Sequence, residues 1–326
     1  MLGVSLSCKI TNINHNLLSF LDECKSMLEL KQLHAVVISF GLSQDNPFIS
    51  KILCFSALPN LGDINYSYRV FSQLSSPAIF SWNTIIRGYS NSKNQIKSNP
   101  YPFFSRCCAW GCTRLSYIPI SCEGISAPFK PGNWLWRNMV MAQKVFESML
   151  EKDVRSWSSL LDGYVKAGEY REAMAVFEKM QAVGPKANEV TTVSVSCACA
   201  HLGALEKGRM IHKYIVDNGW PLTLVLQTSL VDMYAKCGAI EEALLIFHCV
   251  SKSQTDVLIW NAVIGGLATH GLVEESLKLF KEMQIVGICP DEVTYLCLLA
   301  AYGHGGIVKR RSMVFFESLS KCGMSA

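Results

Sequence analysis

Long apolar runs are absent from this chain of 326 residues. No apolar stretch reaches the roughly 18 residues that a helix needs to cross a bilayer, so no membrane partner is expected. Charged residues are also scarce, at 17% of the chain against 50% for hydrophobic residues. This composition suits helices that are buried between two layers. The N-terminal tail, residues 1–10, has one lysine and neither a clear secretory signal nor the Arg-rich pattern of an organellar leader.

Catalytic and metal-binding motifs are missing as well. The chain contains no Gly-rich phosphate loop, no Ser/His/Asp constellation, no His-x-Glu and no Cys-x-x-Cys, so we predict that it is not an enzyme, binds no metal and needs no cofactor. Its 14 cysteines are interpreted as free thiols of a reducing compartment. Four of them lie close together in sequence, but their spacing fits none of the usual zinc patterns: Cys107, Cys108, Cys112 and Cys122.

Glycine recurs along the second half of the chain at a nearly fixed interval. The steps between successive members of this series are 35, 35, 33 and 35 residues. Such a period predicts a tandem array, in which each repeat buries its apolar face only by packing against its neighbours. The five glycines are Gly168, Gly203, Gly238, Gly271 and Gly306.

Each repeat has two amphipathic halves. In the repeat that begins at Val154, apolar residues occupy positions 4, 7, 8 and 11, and again positions 20, 24 and 27. Both sets follow the 3.6-residue period of a helix, and Gly168 lies between them, where a helix commonly ends in a left-handed residue. The repeat is therefore predicted to be a helical hairpin with these core residues: Trp157, Leu160, Leu161, Tyr164, Ala173, Phe177 and Met180.

The periodic pattern stops in one internal segment. Residues 92–138 hold 5 of the 11 prolines and a single acidic residue, Glu123, and proline at that density prevents a continuous hairpin. The segment is predicted to be irregular, between repeats at 11–91 and at 139–326. We interpret it as out-of-frame or intron-derived sequence, with a genuine long loop as the alternative. Residues 141–149 then resume as the second helix of a repeat whose first helix is missing.

Several phrases of the chain resemble one repeat family. They closely resemble the plant pentatricopeptide repeat family, in its subclass that alternates standard, long and short repeats, and the likeness covers about 11–91 and 139–326. The competing tetratricopeptide repeat fits less well, because Leu161 stands where that family has glycine and no regular proline is present. The phrases are Phe80-Ser-Trp-Asn83, Ser229-Leu-Val-Asp-Met-Tyr-Ala-Lys-Cys-Gly238, Ile259-Trp-Asn-Ala-Val-Ile264, Leu279-Phe-Lys-Glu-Met283 and Pro290-Asp-Glu-Val-Thr-Tyr295.

The resemblance implies an all-α, right-handed superhelical solenoid of helix-turn-helix repeats that binds single-stranded RNA, one base per repeat. Positions 2, 5, 9 and 13 of each first helix are expected to be free to meet the ligand. Position 5 and the last position of a repeat would jointly select a base. The implied pairs are Ser158 with Asn188 for adenine, Thr228 with Asp256 for guanine and Asn261 with Asp291 for uracil, while Asn83 is expected to have lost its partner to the break.

Other roles follow from the same resemblance. Lys166 and Lys236, both at position 13, are candidates for contacts with RNA phosphate. The whole chain is expected to be a monomeric adaptor in RNA editing or processing in a mitochondrion or chloroplast, with an enzyme supplied in trans.

Three alternatives stay open at this point. Asp153, Asp256 and Asp291 each precede a first helix, so they could serve only as helix caps. The chain could be a protein–protein scaffold of the tetratricopeptide type. It could also be a truncated product without function, because an interrupted array loses the interfaces that stabilise it.

Overall fold

The structure, a computed structural model, describes residues 16–91, 132–251 and 254–304. The tail 1–10, the four clustered cysteines, Gly306 and most of the irregular segment lie outside these ranges. The described part is helical and contains no strand, which confirms the predicted all-α hairpin repeats; the handedness of the array stays a prediction. The chain forms two compact halves, residues 1–191 and 192–326. None of the described helices is both long and apolar enough to cross a membrane.

After a short helical stretch at residues 16–22, the helices follow in this order: α1 Met27–Ser39, α2 Asn46–Ser56, α3 Ile64–Phe71, α4 Ile79–Asn91, α5 Gly132–Glu147, α6 Val154–Ala167, α7 Tyr170–Val183, α8 Glu189–Leu202, α9 Leu205–Asp217, α10 Leu224–Lys236, α11 Ile240–Cys249, α12 Val257–Thr269, α13 Val273–Ile285 and α14 Glu292–His304.

The glycines of the 35-residue series end the first helices. Gly168, Gly203, Gly238 and Gly271 have φ between 63° and 84°, a left-handed conformation that glycine adopts without strain. In each case the backbone N–H of the following residue donates to a carbonyl five residues back, as Glu169 does to Tyr164 at 2.9 Å. This bond satisfies one of the last carbonyls of the helix. The turn predicted between the two halves of a repeat is thereby confirmed at four of the five glycines.

The predicted core positions are buried. In the repeat that begins at Val154, the seven apolar residues named above are at most 7% exposed, and in the repeat that begins at Val257 Trp260 and Met283 are 0% exposed. The two helices of a hairpin pack together in α6 with α7 and in α12 with α13, and first helices of the second half pack on one another, α10 on α12 and α12 on α14. The core of the second half therefore lies between successive hairpins.

One hairpin is assembled from both sides of the irregular segment. Helices α4 and α5 pack against each other, and both contact α6. The predicted break at 92–138 therefore ends earlier than expected, since α5 already begins at Gly132. The expectation that the second helix at 141–149 has no first helix is wrong: its first helix is α4. Residues 79–91 and 132–153 together number 35, the length of an ordinary repeat.

Deleting residues 92–131 should leave this split hairpin intact. Joining Asn91 to Gly132 restores a 35-residue repeat. The first residues of α5, Gly132 and Asn133, would leave the helix and form the turn, which both residue types favour. Short connections are the rule between packed helices. We expect the deletion variant to keep its helical circular dichroism and to unfold within a few degrees of the full chain. A matched control that deletes 98–137 removes the same number of residues together with part of α5 and should lower the unfolding midpoint. Equal loss of helicity in both variants would contradict the pairing of α4 with α5.

Candidate functional site

The last residue of a repeat caps the first helix of the next one. Asp153, Asp256 and Asp291 each accept a backbone N–H two or three residues ahead through Oδ1, at 2.8–3.1 Å. Asn188 accepts the Thr191 N–H in the same way at 2.9 Å. These carboxylates and this amide satisfy donors that have no partner within the helix. The capping role considered from the sequence is therefore real for the three aspartates, and Asn188 shares it.

In the repeat that begins at Val257, the cap is also bonded to position 5. Asn261 Nδ2 donates to Asp291 Oδ1 at 2.9 Å. Thr294, in the first turn of α14, donates its hydroxyl to Asn261 Oδ1 at 2.6 Å. The two residues that were paired from the sequence thus lie in one hydrogen-bonded group, in which Asp291 Oδ2 takes no part.

The repeat that begins at Val154 has an equivalent group. Ser158 Oγ lies 3.4 Å from Asn188 Oδ1 and 2.8 Å from Thr191 Oγ1. Thr191 also donates to Asn188 Oδ1 at 2.8 Å. The predicted partners Ser158 and Asn188 are therefore brought together, with a threonine from the next first helix between them.

A third pair was not foreseen. Asn83 Nδ2 donates to Asp153 Oδ1 at 3.1 Å and to Oδ2 at 3.3 Å. Asp153 is the last residue of the split repeat, so Asn83 has the same kind of partner as Asn261. The expectation that Asn83 lost its partner to the break is wrong, because α4 and α5 rebuild the repeat around residues 92–131. The sequence did contain a signal: Asp153 precedes Val154 just as Asp291 precedes Glu292.

The remaining predicted pair, Thr228 with Asp256, does not meet. Within the described residues no hydrogen bond joins Thr228 to Asp256, whose Oδ1 accepts from Leu258 and Ile259. Thr228 has a shorter side chain than asparagine and cannot span the same gap. This repeat has 33 residues rather than 35, and the guanine assignment made for it stays a prediction.

Position 5 is far less open than expected. Ser158, Thr228 and Asn261 are 6%, 7% and 5% exposed, so the expectation that they are free to meet a ligand is wrong. The cause is the first turn of the following repeat, which covers them: Thr191 packs on Ser158 and Thr294 on Asn261. The last-position residues Asp256 and Asp291, in contrast, are half-buried and reach solvent.

Position 2 is the exposed position of the first helices. Three of its occupants are apolar and open to solvent: Phe80 at 49%, Val190 at 56% and Val225 at 59% exposed. Single exposed apolar side chains are common on protein surfaces, but these recur at one register, three residues before position 5. Sequence reasoning named position 2 without choosing residues; the signal that would have identified them is an apolar residue outside the helical core period.

The two candidate phosphate-binding lysines are held in ion pairs. Lys166 Nζ lies 2.5 Å from Asp162 and 2.7 Å from Asn91 Oδ1, while Lys236 Nζ lies 2.7 Å from Asp232. Lys166 is well exposed and Lys236 is largely shielded. Because exposed i,i+4 pairs contribute only about 0.3–0.5 kcal/mol, Lys166 can exchange Asp162 for a phosphate at little cost.

His201 lies close to the charges of the second ion pair. Burial lowers the pKa of its imidazole, the nearby Lys236 ammonium lowers it further, and Asp232 opposes them. The imidazole is therefore neutral at pH 7 and adds no positive charge to this face. Within the described residues no three His, Cys, Asp or Glu side chains converge as a metal site.

Helical hairpins that recur about every 35 residues, with buried apolar faces and capped first helices, define a helical-repeat protein of the 35-residue class. A family model described as "PPR repeat family" matches residues 152–201 and 255–304, and a second, "PPR repeat", matches residues 228–254. The chain belongs to the pentatricopeptide repeat family.

Curated relatives from Arabidopsis thaliana are similar over most of the chain. Pentatricopeptide repeat-containing protein At5g08305 is 42% identical over 85% of this chain and 63% of its own length. Pentatricopeptide repeat-containing protein At1g31920 is 34% identical over 93% of this chain and 55% of its own length. The chain therefore spans little more than half the length of the curated relatives it matches.

Solved structures share the fold at low sequence identity. The crystal structure of the pentatricopeptide repeat protein PPR10 in complex with an 18-nt psaJ RNA element is 18% identical, with a TM-score of 0.51 over 95% of this chain and 45% of that chain. The crystal structure of the same protein from maize gives the same TM-score over 97% of this chain and 44% of that chain. At this identity the likeness concerns the fold.

Proposed function

We propose that this chain binds single-stranded RNA and that the residues at repeat boundaries select its bases. The observation that carries the proposal is the recurrence of one polar group, in which a position-5 side chain is linked by hydrogen bonds to the last residue of its repeat. Two boundaries have it directly, Asn83 with Asp153 and Asn261 with Asp291. At a third boundary Ser158 is linked to Asn188 through Thr191, because the Ser158 hydroxyl donates to the Val154 carbonyl oxygen at 2.7 Å. The complex of the structural neighbour PPR10 with an RNA element supports the same ligand class.

Because position 5 is buried, the two members of a pair have different roles in base recognition. The half-buried last residue contacts the base edge, and the buried position-5 side chain fixes the orientation of that last residue by hydrogen bonding. Asp291 Oδ1 is occupied by Asn261 and by the Thr294 N–H, so Oδ2 is the acceptor left for a ligand. Uracil and guanine carry a ring N–H that can donate to it, whereas adenine and cytosine carry a ring nitrogen that accepts.

The opposite chemistry applies to Asn188. Its Oδ1 accepts from the Thr191 N–H and hydroxyl, so it meets a base as a donor through Nδ2. A donor suits the ring nitrogen of adenine, in line with the assignment from the sequence. The exposed apolar residues at position 2, Phe80, Val190 and Val225, would stack on the base faces, a contact worth about 1–3 kcal/mol per base for an aromatic side chain.

Asp291→Asn tests the proposal with little change in shape. Asparagine caps a helix as well as aspartate does, but it places an N–H₂ donor where Oδ2 accepts. Selection of RNAs from a randomised pool should show that the wild-type chain prefers uracil at one position and that the variant loses this preference by about 10-fold, the scale of a good base contact. The other selected positions should not change.

Asp217→Asn is the matched control. It removes the same charge from the exposed C-terminal end of α9, which has no place in any pair, and should leave every preference unchanged. Total affinity should fall steeply with salt if phosphates are neutralised. A wild-type chain that binds no RNA, or binds peptides in a salt-tolerant way, would favour a protein–protein scaffold of the tetratricopeptide type instead.

The wider role is also a proposal. We propose that the chain acts as an adaptor in RNA editing or processing within a mitochondrion or chloroplast, with a partner enzyme supplying the chemistry. One curated relative is the pentatricopeptide repeat-containing protein At1g59720, chloroplastic/mitochondrial, 29% identical over 93% of this chain. The 33-residue spacing between Gly238 and Gly271 supports the subclass with repeats of alternating length.

A further inference from the structure

Thr294 lies at the centre of the group formed by Asn261 and Asp291. It is 0% exposed, and its Oγ1 contacts Asn261 Oδ1 at 2.6 Å and Asp291 Oδ1 at 3.0 Å. The same oxygen accepts the Asp291 N–H at 3.1 Å. A hydroxyl has one proton to donate, and the shorter contact directs it to the Asn261 carbonyl oxygen.

This contact fixes which way the Asn261 amide points. With Oδ1 held by the Thr294 hydroxyl, Nδ2 faces Asp291 and donates to it. In the reversed amide, Oδ1 would face a carboxylate oxygen, so two acceptors would be opposed. Without the hydroxyl, a buried carbonyl oxygen would lose its partner, and the amide would be free to turn towards any other donor. The Asp291 carboxylate is held by that amide together with the Thr294 backbone N–H, both through Oδ1.

A second threonine repeats the arrangement in the first half of the chain. Thr191 is also 0% exposed and occupies the same third position of its repeat. Its Oγ1 contacts Ser158 Oγ and Asn188 Oδ1, both at 2.8 Å. It therefore holds Asn188 Oδ1 as an acceptor, together with the Thr191 backbone N–H.

The split repeat provides a natural contrast. Position 3 of the following repeat is Ser156, whose hydroxyl donates to the Asp153 carbonyl oxygen at 2.8 Å instead of reaching Asn83. Among the described residues, Asn83 Oδ1 is buried with no hydrogen-bond partner. The same Asn–Asp pair thus exists with its amide oxygen held by a hydroxyl at one boundary, and at the other with an amide that only Asp153 orients.

We propose that the threonine at position 3 of a first helix positions the base-selecting pair of the preceding repeat: Thr294 for Asn261 and Asp291, and Thr191 for Ser158 and Asn188. These threonines do not touch the RNA; they act through the polar groups that do. The proposal rests on the RNA-binding function proposed above and adds a third residue to each selecting pair.

Thr294→Val is the first test, carried out on the full chain with a randomised RNA pool. Valine keeps the shape of threonine and removes the hydroxyl. Uracil preference at the position selected by Asp291 should fall by about 2- to 10-fold, the effect of one hydrogen bond, while the preference assigned to Asp256 stays the same. Thr294→Ser keeps the hydroxyl and should retain the wild-type preference.

Thr191→Val tests the same role in the other half and should lower only the adenine preference. It also guards against a loss of folding in the Thr294 variant, which gives up a capping contact as well. Circular dichroism should show wild-type helicity in whichever variant is compared.

The outcomes distinguish the positioning role of the threonines from the RNA-binding function on which it rests. If neither valine variant changes a base preference while Asp291→Asn does, or if both weaken every RNA equally, the positioning role is wrong and the function stands. If the wild-type chain shows no preference at all, the proposed function itself fails.

Discussion

Trp260→Ala should lower the free energy of unfolding by about 3–5 kcal/mol, the usual range for removing a fully buried aromatic side chain. Trp260 is 0% exposed, its ring meets Phe247 of the preceding hairpin edge-on at 4.8 Å, and its Nε1 donates to Thr255 Oγ1 at 3.1 Å. Few neighbouring atoms can collapse into the space, because it is enclosed by two hairpins. The substitution therefore weakens an interface between repeats as well as a single core.

The loss should be local in sequence. Because each repeat is stabilised by its neighbours, amide hydrogen exchange should accelerate in α12, α13 and α14 before it changes in residues 16–91. Trp220→Ala is the control, since Trp220 is half-buried and contacts Tyr214 at 5.7 Å; its effect should be smaller. Uniform acceleration along the whole chain would contradict stabilisation by neighbouring repeats.

Gly266→Ala should destabilise the protein by up to about 2 kcal/mol, although alanine is the better helix former. A Cβ at Gly266 would lie 2.2 Å from the Ala235 Cβ and 3.3 Å from its Cα, so α10 and α12 could not pack at their present distance. The gain in helix propensity is about 1 kcal/mol, whereas overpacking of a rigid contact costs about 1–3 kcal/mol and more when backbone must move. Steric repulsion outweighs the gain in helix propensity, because the obstructing atoms belong to a rigid helix and not to a flexible side chain.

Gly303→Ala measures the effect of helix propensity alone on the free energy of unfolding. Gly303 is also helical, but a Cβ there would meet nothing within 4 Å, so this variant should be as stable as the wild type or slightly more stable. Chemical denaturation of the two variants side by side gives both free energies. Two alanine variants that shift the midpoint in the same direction would show that the close approach of Ala235 to Gly266 carries no weight.

The helical hairpins and their core could be predicted from the sequence because the responsible signals are local. Apolar residues at a helical period fall on the buried face, as Trp157 and Leu161 do, and Gly168 ends the helix by its own backbone freedom. The link between Asn83 and Asp153 could not be predicted in the same way. It spans 70 residues, and a stretch without any period separates its two halves.

The burial of position 5 was also beyond the sequence. Periodicity shows that Ser158 and Asn261 lie off the face formed by their own hairpin, which is correct. It does not show that the first turn of the next repeat covers them with Thr191 and Thr294. Exposure at a boundary depends on two repeats at once, whereas a helical period describes one.

The double duty of the last residue in each repeat limits how recognition can evolve. Where this residue caps a helix through its side chain, asparagine, aspartate, serine and threonine are the side chains that do so well. Five last residues belong to this set, Asp153, Asn188, Thr223, Asp256 and Asp291, whereas Ala78 before α4 does not. At these boundaries a change of base preference can therefore use only four side chains. Aspartate is an acceptor, whereas asparagine, serine and threonine can also donate. The requirements of folding therefore limit which side chains are available to recognise a new RNA target.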